Sequence, residues 1–211
     1  MTKKIKILPQ EQRVKQILAE CEAVLQGHFQ YASGLHGDMY INKDAIYPNT
    51  EMTSELCKLL ARNFQAKNVQ VVVGPQMGGV ILSQLVAGHL TTMEHRNVWG
   101  VFAEKTEDDN LEFRRGYEQF VTGNNVLAVE DILNTGGSAK KLIQAIRDVG
   151  GNVIGLSAIV NRGNVKSEDI GGVPIKSLLD IDMNRWEPAV CPPCLNGIPL
   201  NTNVGHAPKN I

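Results

Sequence analysis

The chain has 211 residues, of which 43% are hydrophobic and 20% are charged. This composition is typical of a globular protein with a sizeable core and excludes a disordered chain. The 21 Lys and Arg residues against 22 Asp and Glu residues give a net charge of −1, which lacks the basic excess of a nucleic-acid binder. No apolar run reaches the roughly 18 residues of a membrane span. From the charge balance and the lack of such a run, we predict no nucleic-acid partner and no membrane partner.

The amino terminus and the cysteines predict a cytoplasmic location. Residues 1–9 are basic but contain neither a long apolar segment nor a small-residue cleavage site, so they do not resemble a secretory signal. Four cysteines in a chain of this length do not suggest a disulfide scaffold.

The first third of the chain predicts two helices. Residues 10–25 carry apolar residues at helical spacing up to Val24 and Leu25, and Gly27 follows as a stop signal. A second helix is predicted over residues 50–64. The segment between them is rich in Gly, Ser, Asn and Asp, with a short strand predicted at residues 39–41.

From residue 69 onward, short apolar strands alternate with helices. The predicted strands and helices occupy residues 69–73, 80–90, 98–102, 126–129, 138–149, 153–160 and 175–181. This alternation indicates an α/β fold with an open, mostly parallel sheet and helices on both faces. We predict a single domain over residues 1–211, divided into an N-terminal hood with helices (1–65), a core sheet (66–182) and a C-terminal tail (183–211).

The most informative stretch is residues 126–138. Its predicted strand ends in two adjacent acids, Glu130 and Asp131, and is followed by a Gly-rich loop and a helix start. Backbone N–H groups and the helix dipole converge on such a loop, which makes it an anion site. A solvated acidic turn with a helix cap is the alternative, but ligands of open α/β sheets bind at the carboxyl ends of strands. The two acids suit a ligand with a phosphate at one end and sugar hydroxyls or a cation at the other.

This stretch resembles the 5-phosphoribosyl-1-pyrophosphate (PRPP) motif of the type I phosphoribosyltransferases. The shared features are a hydrophobic strand, two acids, a hydrophobic step and Thr-Gly-Gly-Ser. The resemblance implies the family's open sheet and implies that Glu130 and Asp131 hold the ribose hydroxyls. It also implies that the 5-phosphate is bound by Asn134, Thr135, Gly136, Gly137 and Ser138.

Four further segments resemble the orotate branch of this family, in the expected order. Residues 72–79 resemble its pyrophosphate loop, and residues 102–105 resemble the start of its mobile catalytic loop, which implies that Lys105 contacts the leaving pyrophosphate. Residues 29–42 and 161–163 resemble its base-binding segments. The implied loop contacts are Pro75, Gln76, Met77 and Gly78, and the implied base contacts are Ser33, Gly34, Tyr40 and Arg162.

The resemblance implies a magnesium-dependent transfer of the phosphoribosyl group from PRPP to a base. It also implies orotate as the base, orotidine 5′-monophosphate as the product, Asp131 and Lys105 as the catalytic residues, and a homodimer that acts in pyrimidine biosynthesis. Magnesium is expected on PRPP near Glu130 and Asp131, with no side chain predicted as its direct ligand. Ala32 and residues 106–110 replace basic residues usual in the orotate enzymes. A purine acceptor and a PRPP-binding regulator without turnover therefore remain alternatives.

Three features have two interpretations. Residues 104–122 are either a closing loop or an exposed hairpin between two strands. Arg162 either pairs with a carboxylate of the base or is an exposed loop residue. The segment Cys191-Pro-Pro-Cys194 favours a structural turn, with a zinc site completed across a dimer as the alternative. The five histidines are scattered, which is typical of structural or exposed residues.

Overall fold

The computed structural model describes residues 9–31 and 33–204. The helices are α1 (Gln10–Glu20), α2 (Thr50–Arg62), α3 (Gly78–Glu94), α4 (Glu118–Val121), α5 (Gly137–Asp148) and α6 (Pro192–Leu195). The strands are β1 (Val24–Gln30), β2 (His36–Ile41), β3 (Val71–Pro75), β4 (Trp99–Lys105), β5 (Leu111–Glu112), β6 (Asn125–Leu133), β7 (Asn152–Asn161) and β8 (Ile175–Asp180). Short 3₁₀ turns lie at Lys43–Ala45, Ser167–Ile170 and Pro188–Val190.

Six strands form the main sheet, in the order β5-β4-β3-β6-β7-β8. All neighbouring pairs are parallel except β4 and β5, which are antiparallel. Side chains of β6 alternate between the two faces: Leu127 packs with α2 and α3, whereas Ala128 packs with α5. Helices thus cover both faces of a mostly parallel sheet, and the predicted fold class is confirmed.

The amino-terminal prediction is wrong beyond Glu20. Helix α1 ends there, Glu22 adopts a left-handed conformation (φ 51°), and Val24 and Leu25 begin β1 instead of continuing the helix. The reason is tertiary pairing: β1 forms an antiparallel hairpin with β2, in which Val24 faces Ile41. Gly27 lies inside β1 rather than after a helix, and β2 begins at His36, three residues before the predicted strand.

Helices α1 and α2 belong to the same hydrophobic core as the sheet. Val14 and Leu56 are fully buried in one cluster that also contains Leu127. Arg13 of α1 donates two hydrogen bonds, of 2.8 and 2.6 Å, to the carboxylate of Glu55 in α2. In the part of the chain that the structure describes, every helix is too short or too polar to cross a bilayer.

The charged segment over residues 104–122 contains a hairpin. Strand β4 runs to Lys105, the chain turns with Thr106 donating its N–H to the carbonyl of Asn110 (3.0 Å), and β5 returns beside β4. Helix α4 follows. The hairpin interpretation therefore describes this conformation, and the closing motion stays a prediction.

Candidate active site

Glu130 and Asp131 lie inside strand β6, not after its end as the sequence predicted. β6 extends to Leu133 because β7 pairs with it as far as that residue, whereas β3 pairs with it only as far as Ala128. Both acids are buried, with exposed fractions of 6% and 4%. Since successive side chains of a strand point to opposite faces, the two carboxyl groups lie on opposite sides of the sheet.

Asp131 lies on the face covered by α2 and α3, where its carboxylate is held by two donors. Its Oδ2 accepts hydrogen bonds from Lys43 Nζ (3.0 Å) and Tyr47 Oη (2.8 Å). Burial alone would lower the pKa of Lys43, but the Asp131 carboxylate outweighs burial and raises it. Burial, reinforced by Asp131, also raises the pKa of Tyr47, so its hydroxyl is a neutral donor.

Gly78 at the start of α3 allows this close approach. A Cβ atom at Gly78 would lie 2.3 Å from Tyr47 Oη and 2.4 Å from Asp131 Oδ2. Because real Cβ contacts are not this short, any larger residue at this position would have to displace the ends of these two side chains. Gly78 thus borders the Asp131 carboxylate as well as belonging to the predicted pyrophosphate loop.

Glu130 lies on the opposite face, toward the start of α5. Its Oε1 accepts a hydrogen bond from the Asp131 N–H (3.0 Å), while its buried Oε2 has no hydrogen-bond partner among the described residues. Burial, and then the charge of Asp131, raise the pKa of Glu130, and the hydrogen bond from the Asp131 N–H, the Ser138 hydroxyl and Lys43 oppose this rise. A buried carboxyl group with a free oxygen is a group whose protonation responds to a ligand.

The loop between β6 and α5 has the predicted form of an anion site. Gly136 precedes α5 in a left-handed conformation (φ 78°), which glycine adopts without strain. Its position turns the chain so that α5, a helix of 12 residues, begins at Gly137. The Gly137 N–H donates to Thr135 Oγ1 (3.4 Å), and the N–H groups of Ser138 and Ala139 precede the first intrahelical bond, from the Lys140 N–H to the Gly136 carbonyl. The loop after β7 packs closely on it: a Cβ atom at Gly163 would lie only 1.4 Å from the carbonyl oxygen of Asn134.

A cavity of about 340 Å³ joins this loop to two other predicted segments. The Lys105 N–H donates to Gln76 Oε1 (3.2 Å), which holds the end of β4 beside the predicted pyrophosphate loop. Asp109 forms ion pairs with Lys105 and Lys141 across the cavity, and these two lysines lower the pKa of Asp109 to about 2. The described lining consists of Pro75, Gln76, Lys105, Asp109, Leu111, Gly137, Ser138 and Lys141. Met77 points to solvent and is 76% exposed.

Arg162 forms a second, narrower part of the site. Its Nε and Nη1 atoms are buried and have no hydrogen-bond partner among the described residues, and its guanidinium lies 5.5 Å from the ring centre of Tyr31. Burial lowers the pKa of Arg162, yet a guanidinium stays charged at neutral pH. The cleft beside it measures about 10 Å³ and is lined by Tyr31, Asn134, Met183 and Arg185. A ligand larger than a water molecule therefore requires these side chains to move.

The predicted base contacts are only partly brought together. Ser33 and Gly34 lie in the turn between β1 and β2, and Tyr40 packs against Phe29 with ring centres 5.5 Å apart. None of these three residues lines the Arg162 cleft. Ala32 lies outside the described residues.

Besides Asp109, Leu111 and Lys141 of the cavity lining, sequence reasoning missed five residues of the site. Tyr31 lies within the segment that resembles the base-binding part of the orotate enzymes, so proximity to Ser33 was its one available signal. The others belong to irregular segments without periodicity or motif, and are Lys43, Tyr47, Met183 and Arg185.

Comparison with known proteins places this geometry in one family. Residues 42–191 match the family model described as a phosphoribosyl transferase domain. A curated relative from Caldanaerobacter subterraneus, named orotate phosphoribosyltransferase, is 36% identical over 191 residues, covering 90% of this chain and 95% of the relative. One of the same name from Thermotoga maritima is 37% identical over 187 residues, covering 88% and 94%.

A solved structure shows the same fold. The crystal structure of Mycobacterium tuberculosis orotate phosphoribosyltransferase in complex with Fe(III) dicitrate has a TM-score of 0.63 at 23% identity, covering 82% of this chain and 96% of that one. Since the family model and the curated relatives both span most of its length, the chain belongs to the phosphoribosyltransferase family.

Proposed function

We propose that the protein transfers the 5-phosphoribosyl group from PRPP to orotate, giving orotidine 5′-monophosphate and pyrophosphate. The observation that carries the choice of orotate is Arg162, whose buried Nε and Nη1 atoms have no hydrogen-bond partner among the described residues. Buried donors without partners are costly, and a planar carboxylate matches a guanidinium bidentately. Orotate carries such a carboxylate. The names of the curated relatives support the same acceptor.

The phosphate and ribose of PRPP would occupy the β6–α5 region. The N–H groups of the first turn of α5 suit the 5-phosphate, in the loop that Gly136 shapes. Asp131, fixed by Lys43 and Tyr47, offers its carboxylate to ribose hydroxyls. This rigid support orients the sugar for attack, which is a main source of catalysis in a reaction with little covalent assistance.

The leaving group would lie in the 340 Å³ cavity. The base nitrogen attacks the anomeric carbon while the bond from that carbon to the pyrophosphate oxygen breaks, and the electron pair leaves with pyrophosphate. Negative charge therefore grows beside Lys105 and Lys141, which already face the cavity. Lys105 must exchange its partner Asp109 for the pyrophosphate, so its contact strengthens as the reaction proceeds.

Magnesium dependence is part of this proposal, and the residues present fit the ion. Glu130 offers a buried oxygen without a partner among the described residues, a hard donor of the kind that Mg²⁺ prefers, whereas the Asp131 carboxylate lies on the opposite face and is held by Lys43 and Tyr47. When bound with PRPP, magnesium neutralises charge on the pyrophosphate.

We also propose a cytoplasmic homodimer. The unpaired thiols of the four cysteines and the exposed apolar side chains of Met77, Ile81 and Trp99 support this part.

The proposal is tested by measuring pyrophosphate release from PRPP and Mg²⁺ with orotate, uracil and purine bases. We expect release with orotate only. Arg162→Lys keeps the charge but loses the bidentate geometry, and should raise the KM for orotate about 10- to 100-fold with the KM for PRPP nearly unchanged. The matched control is Arg147→Lys, an exposed arginine on α5 that bonds the Gly171 carbonyl. Release with a purine alone would change the acceptor, and PRPP binding without release would indicate a regulator.

A further inference from the structure

The Cys191-Pro-Pro-Cys194 segment of the tail lies against two histidines of the β1–β2 hairpin. One ligand atom each of His28, His36, Cys191 and Cys194 lies within 4.8 Å of the other three. His28, His36 and Cys191 are buried and Cys194 is partly exposed. The sequence favoured a structural turn here, with a zinc site completed across a dimer as the alternative. The structure instead supplies four potential ligands from one chain.

Hydrogen bonding alone does not satisfy this cluster. His28 Nε2 lies 2.9 Å from His36 Nδ1, 3.4 Å from Cys191 Sγ and 3.5 Å from Cys194 Sγ. A neutral imidazole nitrogen carries either one proton or one lone pair, so it can serve only one of these three neighbours. Convergence of four such atoms on one point is what a central cation requires.

The other nitrogen of His28 fixes the tautomer that a metal needs. His28 Nδ1 lies 2.7 Å from the carbonyl oxygen of Ile198. Because a carbonyl oxygen can only accept, Nδ1 must carry the proton, and the lone pair of Nε2 then points into the cluster. Metal-binding histidines are commonly oriented in this way by a backbone carbonyl.

From this arrangement we infer a structural Zn²⁺ site formed by His28 Nε2, His36 Nδ1, Cys191 Sγ and Cys194 Sγ. Two thiolates and two imidazoles are a donor set that tetrahedral zinc prefers, with expected separations of about 3.4 Å between nitrogens and about 3.6 Å between nitrogen and sulfur. The separation of 3.3 Å between Cys194 Sγ and His36 Nδ1 is already close to this value. Binding releases the two thiol protons to solvent.

The site would fasten the tail to the hairpin at the point where backbone bonds already join them. His36 and Trp186 exchange two N–H to carbonyl hydrogen bonds of 2.9 Å, and the Asn201 N–H donates to the His28 carbonyl (2.7 Å). Tyr31 of the hairpin and Arg185 of the tail line the Arg162 cleft. Zinc therefore also sets the width of that cleft. The consequence for binding of the base rests on the proposed function.

The test is the metal content of tag-free protein purified under reducing conditions without chelators. We expect about one zinc ion per chain by mass spectrometry, in keeping with a closed structural site. Cys194→Ser and His36→Gln should lose most of it. Cys21→Ser and His89→Gln are the matched controls, because Cys21 contacts Met52 and His89 contacts Ser54, away from the cluster; both should retain the ion.

Measurements on the unmodified chain keep the inference testable if a variant does not fold. Stripping zinc with a strong chelator should lower the Tm by about 10 °C, and adding zinc should restore it. Replacement with Co²⁺ should give the visible absorption bands of tetrahedral thiolate coordination. The site would be refuted by a zinc content below about a tenth of an ion per chain that does not rise when zinc is added. A disulfide between Cys191 and Cys194 would refute it as well.

Activity separates this inference from the proposed function. If both hold, zinc removal raises the KM for orotate more than the KM for PRPP. A protein that binds zinc but releases no pyrophosphate with any base keeps the zinc site and refutes the transferase. A protein that is active but binds no zinc keeps the transferase function and refutes the zinc site.

Discussion

Glu130 and Asp131 are neighbours in β6, but the two faces of the sheet give them different environments. On one face, Asp131 is held by Lys43 and Tyr47 from the segment before α2. On the other, Glu130 points toward the start of α5, and one of its carboxyl oxygens has no partner among the described residues. The first carboxyl group is matched by a cation, whereas the pKa of the second is raised by burial.

This difference indicates two roles for what the sequence presents as one acidic pair. A carboxylate with fixed donors is preorganised, and it can bind sugar hydroxyls without rearrangement. A buried carboxyl group with a raised pKa can instead gain or lose its proton when a cation or phosphate arrives. Glu130 and Asp131 thus have different properties because successive side chains of a strand lie on opposite faces of the sheet.

The largest effect is expected for Asp131→Asn, which removes the charge that Lys43 faces. Turnover should fall about 100-fold or more, since the group proposed to orient the ribose is lost. Glu130→Gln should reduce turnover less, because a neutral side chain resembles the protonated acid. Steady-state kinetics with PRPP and orotate measure both, and Asp148→Asn at the exposed end of α5 is the control. Equal losses in the two site variants would refute the division of roles.

Gly78→Ala places its new Cβ on the Asp131 face. The new Cβ would lie 2.4 Å from Asp131 Oδ2, so the carboxylate must move, and we expect turnover to fall about 30-fold by loss of positioning. Gly88→Ala in the same helix is the matched control, because a Cβ atom there would have no atom of the described residues outside the helix backbone within 4 Å. The control should keep full activity and gain about 0.5–1 kcal/mol in free energy of unfolding. Normal activity of Gly78→Ala would show that Asp131 tolerates displacement.

Lys105→Ala tests the cavity on the Glu130 face. Lys105 is paired with Asp109 in the free protein. Its contact with pyrophosphate should therefore matter mainly when negative charge develops on the departing pyrophosphate. We expect kcat to fall about 10-fold with a smaller change in the KM for PRPP. Lys58→Ala, an exposed lysine of α2, is the control. A rise in KM alone would assign Lys105 to ground-state binding.

The smallest expected effect is a pH dependence of stability from Glu130. Its pKa is raised in the folded protein, so the folded state holds a proton that the unfolded state has already released. Above the ordinary carboxyl pKa, the free energy of unfolding should therefore fall as pH rises toward the folded-state pKa. Denaturant titrations at several pH values, without ligand, measure this slope. Glu130→Gln should remove it; an unchanged slope would mean that Glu130 is already ionised.

The sequence located features that are contiguous in the chain. The α/β class follows from alternating strands and helices, and the strand, Gly-rich loop and helix over residues 126–138 have their geometry set by chain connectivity. The loop shaped by Gly136 is therefore readable from residue types alone. The ligand roles assigned to residues 134–138 stay predictions that the experiments above address.

Tertiary structure alone decided which distant segments meet. No periodicity distinguishes Lys43 or Tyr47, and nothing local relates His28 to Cys191, because their contacts depend on how the hairpin and the tail pack against the sheet. The same packing explains why Val24 and Leu25, which were predicted to be helical, lie in β1. Their pairing with β2 outweighs the local helical spacing. The amino-acid sequence thus determined the fold class and the loop shaped by Gly136. Long-range packing determined the partners of Asp131, the Arg162 cleft and the cluster of His28, His36, Cys191 and Cys194.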